Sequence, residues 1–162
     1  MGKSELLVGI SLLVAVFVIS CDKENPVSHS ECKDFGLKSI VQLSDFGSDS
    51  GCVRYTYFFQ DRKLMLEHIN AGFNCCPGEI YCDIQMDNDT IILTESEEKA
   101  ECDCNCLYDL DINIPEVEKQ KYYISIHEPY RGNQVKIIFE IDLTQNETGV
   151  FCVERTLYPW GL

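Results

Sequence analysis

A chain of 162 residues, 45% of them aliphatic, aromatic or Cys, has room for one domain and enough apolar material for a core, which excludes wholesale disorder. Thirteen Lys and Arg against twenty-seven Asp and Glu leave a formal charge of −14, so the surface repels phosphate backbones and anionic membrane faces. Nucleic-acid partners are not expected.

Met1 to Ser20 reads as an export signal. Lys3 sits in a short start, and Leu6 to Ile19 is apolar apart from Gly9 and Ser11. As a helix this run would span ~21 Å, short of a ~30 Å hydrocarbon core, which suits a signal-peptide core rather than a permanent span. It ends in Val18-Ile19-Ser20-Cys21, which resembles the lipobox of bacterial lipoproteins. The resemblance implies cleavage before Cys21, a diacylglyceryl thioether on its sulfur, and acylation, with palmitate among the chains, of the new amine. Several acyl chains at ~0.8 kcal/mol per buried CH₂ make a stable anchor where one would be marginal. The competing reading is an ordinary secretory signal with a coincidental Cys. Myristoylation at Gly2 is excluded because position 6 is Leu, not Ser or Thr.

Asp22 to Glu31 is polar and reads as a flexible tether of roughly 17 Å. The expected organisation is therefore a signal peptide over 1–20, lipidated Cys21 and tether over 21–31, and one domain over 32–162. Cys21-Asp22-Lys23-Glu24 also resembles the surface-export signals of Bacteroidetes-type lipoproteins. That favours an outer-membrane address in the cell envelope. In other Gram-negative lineages Asp after the lipidated Cys favours inner-membrane retention, and the leaflet stays open.

The domain reads as short strands in series. Leu37–Leu43 is followed by the turn-rich Ser44–Gly51, and Cys52–Gln60 by Lys63–Ile69. Asn70–Gly78 looks like a loop pinned by thiols. Ile80–Met86 and Thr90–Glu95 flank an Asp87-Asn88-Asp89 turn. Cys102 to Ile114 alternates most regularly: every even position is apolar or a thiol, and every odd one except Leu107 is Asp or Asn. Thirteen residues would measure ~44 Å, beyond a typical strand. The regular strand is therefore expected over Cys106–Ile114, with Cys102 and Cys104 in a loop or bulge entering it. Lys121–Glu128, Gln134–Leu143 and Val150–Glu154 follow, and Trp160 in the tail could cap the core. With no 3.6-residue repeat, the pattern predicts an all-β, antiparallel β-sandwich stapled by disulfides, with an immunoglobulin-like arrangement as one option.

Setting Cys21 aside leaves Cys32, Cys52, Cys75, Cys76, Cys82, Cys102, Cys104, Cys106 and Cys152. An exported chain meets an oxidising compartment, so all nine are disulfide candidates, and the odd count leaves at least one over in a monomer. Cys104 and Cys106 lie nearly 7 Å apart on a strand, at the limit for bridging each other. Each is better placed to reach a neighbouring strand or the Cys75-Cys76 loop. Adjacent Cys75 and Cys76 point to opposite sides of an extended chain and should serve different partners. The alternative is a thiol-redox or metal-binding protein, or an enzyme, using Cys75, Cys76, Cys102, Cys104 and Cys106. Zinc sites favour C-x₂₋₄-C over strand-like C-x-C-x-C, so no metal and no cofactor is expected.

Leu64-x-Leu66-x-His68-x-Asn70, Phe73-Asn74-Cys75, Ile91–Glu95, Cys104-x-Cys106-Leu-Tyr108-Asp109-Leu110 and Tyr123-x-Ser125-x-His127 together resemble a group of small Bacteroidetes-type exported lipoproteins. The similar stretch covers roughly residues 60–130. The resemblance implies an all-β exported domain without an established activity. Cys76, Cys82 and Cys102 depart from that pattern, so the pairing does not carry over.

Catalytic signatures are missing. Gly47-Ser-Asp-Ser-Gly51 centres Asp49 where a nucleophile elbow needs Ser, and neither H-E-x-x-H nor a P-loop occurs. His29, His68 and His127 read as structural. Asp103, Asp109 and Asp111 share one strand face that could hold a cation but is more simply solvated. Asp89-Thr90-Ile91 matches the O-glycosylation acceptor of Bacteroidetes-type exported proteins, with Thr90 as the acceptor. The expected function is a non-catalytic binding or structural module, anchored to the membrane through Cys21, whose protein or glycan partner the residues do not name.

Overall fold

The computed structural model describes residues 25–33 and 46–161. The leader, Cys21 and the strand expected over Leu37–Leu43 fall outside the described residues. Among those described there is no helix, and nine strands form: β1 (Val27–His29), β2 (Ser50–Phe58), β3 (Lys63–Asn74), β4 (Ile80–Asp87), β5 (Thr90–Glu97), β6 (Asn105–Ile114), β7 (Lys121–His127), β8 (Ile137–Asp142) and β9 (Thr148–Glu154). They make a five-stranded sheet, β1-β6-β3-β2-β9, and a four-stranded sheet, β4-β5-β7-β8.

The sheets pack face to face as a β-sandwich because each strand offers one apolar parity. Leu110, Ile112 and Ile114 of β6 meet Ile91 and Leu93 of β5 and Ile124 and Ile126 of β7 in one buried cluster. Two phenols in this core are satisfied, Tyr57 Oη donating to the Val117 carbonyl at 2.9 Å and Tyr108 Oη to that of Asn74 at 3.1 Å.

Four details differ from the expectation. The first sheet is antiparallel throughout, but β5 and β7 run parallel, so the second sheet is mixed and departs from an immunoglobulin arrangement. Part of the expected tether is structured: Val27–His29 forms an edge strand on β6, with Val27 opposite Ile112 and His29 opposite Leu110. Backbone pairing supplies what this polar segment lacks in apolar side chains.

The third difference is that β3 runs through the expected thiol loop as far as Asn74. A bulge between Ile69 and Ala71 puts Asn70 at φ 63°, a left-handed conformation that Asn tolerates better than most residues. The inserted residue flips the parity: Leu64, Leu66 and His68 face the other sheet before it, Ala71 and Phe73 after it. Lys33 Nζ donates to Asn70 Oδ1 at 2.7 Å, and Asn70 Nδ2 donates to the carbonyls of Gly47 and Ser50, each at 2.9 Å. Finally, Trp160 is buried outside the inter-sheet cluster. Its ring lies against Gly72, and its Nε1 donates to the Asn70 carbonyl at 2.7 Å.

Candidate functional site

Four core-facing alternations end in a charged or polar residue at one end of the sandwich. Leu64-Leu66 continues to His68, Ile91-Leu93 to Glu95, Tyr122-Ile124-Ile126 to Glu128, and Phe151-Val153 to Arg155. All four side chains are essentially without solvent exposure. His68 Nδ1 and Glu95 Oε1 are 2.6 Å apart, and His68 Nε2 lies 3.9 Å from Glu128 Oε1. Arg155 Nη2 donates to both Glu128 oxygens at 2.6 Å, and Arg155 Nη1 to the Val135 carbonyl at 2.6 Å. The guanidinium carbon also stands 5.0 Å from the Trp160 ring centroid.

With His68 protonated the quartet is neutral: two cations, His68 and Arg155, face two carboxylates. Burial pushes the His68 imidazole towards its neutral form, but the charge and hydrogen bond of Glu95, joined by Glu128, outweigh burial and Arg155, and its pKa ends above 6.5. Burial likewise raises Glu128 above 4.5, against the opposing pull of His68 and Arg155. Both shifts say that this interior holds a proton more tightly than the unfolded chain does. The Glu95–His68 contact has the form of a carboxylate orienting an imidazole, yet Nε2 carries no hydrogen bond and has Glu128 Oε1 as a charged neighbour at 3.9 Å. As placed, the quartet joins the sheets: His68 and Arg155 come from one, Glu95 and Glu128 from the other.

The cysteines surround this end. Cys32 bridges Cys106, Cys52 bridges Cys152, Cys75 bridges Cys104 and Cys76 bridges Cys102. Cys52 and Cys152 are direct cross-strand partners on β2 and β9. Cys75 and Cys76 take different partners, and together they fasten the turn after β3 to the segment that enters β6. The closed loops span 26 to 100 residues, for which constraint of the unfolded chain contributes ~3–5 kcal/mol each. Cys75, Cys76, Cys102, Cys104 and Cys106 are thus bonded sulfur to sulfur, which leaves them no thiolate to offer a metal in this state. Four disulfides suit an oxidising, extracytoplasmic compartment.

Cys82, one of the disulfide candidates, is the free thiol among the described residues. It lies opposite Glu95 on the neighbouring strand, and burial together with the Glu95 and Asp83 charges pushes it up to about 12. Beside it opens a cleft of about 430 Å³ between β1 and β4, lined by Asn25, Pro26, Tyr81, Cys82, Ile84 and Asn113 among others. Burial and the neighbouring carboxylates thus disfavour the thiolate, the form in which a cysteine acts as a nucleophile.

The remaining expected residues are dispersed. Asp109 pairs with Lys33 at 2.5 Å and accepts from the Asn70 amide at 3.1 Å, while Asp111 stays exposed, so Asp103, Asp109 and Asp111 do not act as one group. No cluster of three or more His, Cys, Asp or Glu able to hold a metal occurs among the described residues. Thr90 opens β5 half-buried, its hydroxyl 3.4 Å from Asp89 Oδ1. His29 stands edge-on to Tyr108, and His127 is exposed. Glu95, Glu128 and Arg155 are the residues that sequence reasoning missed. The signal was present, since each extends an apolar alternation by one in-phase step. Compared with protein-family models, curated proteins and solved structures, the chain matches none.

Proposed function

We propose that the chain is a lipid-anchored lipoprotein of the bacterial cell envelope, in which a disulfide-stapled sandwich serves as a non-catalytic binding or structural module. The observation that carries this reading is the pairing of eight cysteines within the domain, which with buried, unpaired Cys82 accounts for every domain cysteine without calling on Cys21 at the end of the apolar leader. The lipobox-like Val18-Ile19-Ser20-Cys21 supports acylation there. The non-catalytic part is supported by a polar cluster closed to solvent whose imidazole faces carboxylates on both nitrogens. An outer-membrane address rests on the acidic residues after Cys21.

Expression in a Gram-negative host fed labelled palmitate tests the anchor. The wild type should incorporate label and sediment with membranes, and Cys21→Ser should do neither. Label retained in Cys21→Ser would overturn the lipoprotein reading.

A further inference from the structure

We infer that the end of the sandwich carrying Phe58 and Phe59 rests on the bilayer that holds the anchor; this depends on Cys21 being acylated. The tip between β2 and β3 exposes both rings, Phe58 at 40% and Phe59 at 57%. Large aromatics at such exposure on a turn are suited to an interface where one side is apolar. Lys63 Nζ stands 5.9 Å from the Phe58 ring centroid and Lys119 Nζ 5.2 Å from that of Phe59. These long side chains can lay their stems along the rings while the ammonium groups stay among headgroups.

Strand register puts the anchor at the same end. Val27, Ile112, Leu66 and Tyr55 form one row across the sheet. Phe58 lies three residues beyond Tyr55, ~10 Å along the strand, and Asn25 lies two residues before Val27, ~7 Å in the same direction. Three residues separate Asn25 from Cys21, and the four Cα–Cα steps give a reach of at most about 14 Å. The acyl chains and the aromatic tip can therefore enter one surface together.

Charge permits the contact. A chain of −14 should be repelled by anionic headgroups, but at the tip Arg62, Lys63 and Lys119 offset all but one of the charges of Asp61, Glu116, Glu118 and Glu147, leaving it close to neutral. Arg62 pairs with Glu118, and Lys119 with Glu147 at 2.7 Å. The acidic Asp87-Asn88-Asp89 turn belongs to the other sheet, at the far end of β4 from Ile80, whose carbonyl accepts from Asn25 Nδ2 at 2.8 Å, so the contact is assigned to the β2–β3 side. Val135, Leu157 and Tyr158 are exposed at the opposite end, away from the anchor.

The test places Trp at each end of the acylated full-length protein in phosphatidylcholine vesicles, with and without brominated acyl chains. Native Trp160 is 2% exposed and gives a constant background. Phe59→Trp should shift to the blue and lose about half its added emission to brominated lipid, while Leu157→Trp should not respond. Equal responses at the two positions, in samples whose palmitate label shows the anchor in place, would overturn the inference and leave the anchor standing. Unlabelled protein that floats free of vesicles would overturn both. A blue shift without bromine quenching, accompanied by dimerisation, would assign the tip to a second copy of the chain and reject the bilayer.

Discussion

His68 Nδ1 and Glu95 Oε1 meet at 2.6 Å across the two sheets, and neither side chain has more than 1% of its surface exposed. Removing one member of a buried pair strands the other, and the desolvation cost then goes uncompensated. His68→Leu is expected to lower unfolding free energy by about 3–5 kcal/mol in urea titrations. Adding Glu95→Leu should recover part of that loss, since the stranded carboxylate is gone. A double variant as unstable as the sum of the singles would mean that the two groups are not coupled.

The raised pKa of His68 sets the sign of the pH dependence. The groups facing it are Glu95 from β5, Glu128 beyond β7 and Arg155 beyond β9. A base whose folded pKa exceeds its unfolded 6.5 contributes stability that is complete below that pH and lost as pH rises through the folded value. Glu128, raised from 4.5, acts in the same direction from that pH upward, because its folded form also favours the proton. Asp142 is lowered from 3.8, chiefly by its hydrogen bond from Thr144, and works oppositely in the acid range alone. Urea midpoints should therefore fall as pH rises above neutrality. In His68→Gln that alkaline slope should flatten, and an unchanged slope would place the proton elsewhere.

The quartet also shows what the sequence could and could not disclose. Period-two alternation marks most strands, and it marks the quartet too: Leu64-x-Leu66-x-His68 and Ile91-x-Leu93-x-Glu95 simply continue in phase. What does not show is which sheet each strand joins. β5 and β7 lie parallel because β6 and its connections intervene, and no residue in either announces that partner. The Asn70 bulge is hidden for a different reason. Ala71 and Phe73 look out of register with Leu64 and Leu66 until one residue is known to be skipped. β1 is invisible to a hydrophobic reading because pairing with β6 supplies its backbone hydrogen bonds while its side chains stay mostly wet.

Cys82 should be silent in the native protein. Its thiol is pushed up to about 12, so alkylating or disulfide-exchange reagents at mildly alkaline pH find almost no thiolate. Acylated protein denatured without reductant should then release one titratable thiol, because Cys21 is blocked and the other eight are paired. Rapid labelling before denaturation, or several thiols after it, would contradict this assignment. Cys82→Ala should cost about 1–2 kcal/mol, the loss of a small buried group and little more.

Gly72 lies directly against the C-terminal segment. A Cβ there would stand 2.7 Å from Trp160 Cη2, 2.9 Å from Cζ2 and 3.2 Å from Pro159 Cγ. The indole cannot swing away freely, since its Nε1 is held by the Asn70 carbonyl and its ring faces the Arg155 guanidinium. Gly72→Ala should therefore cost about 1–3 kcal/mol of overpacking and shift Trp160 emission to the red as the indole is displaced. Trp160→Phe removes the atoms that clash, so the cost of Gly72→Ala should shrink in that background even though Trp160→Phe is itself destabilising. An equal cost in both backgrounds would trace the effect to the strand backbone and leave the packing of the tail on β3 without support.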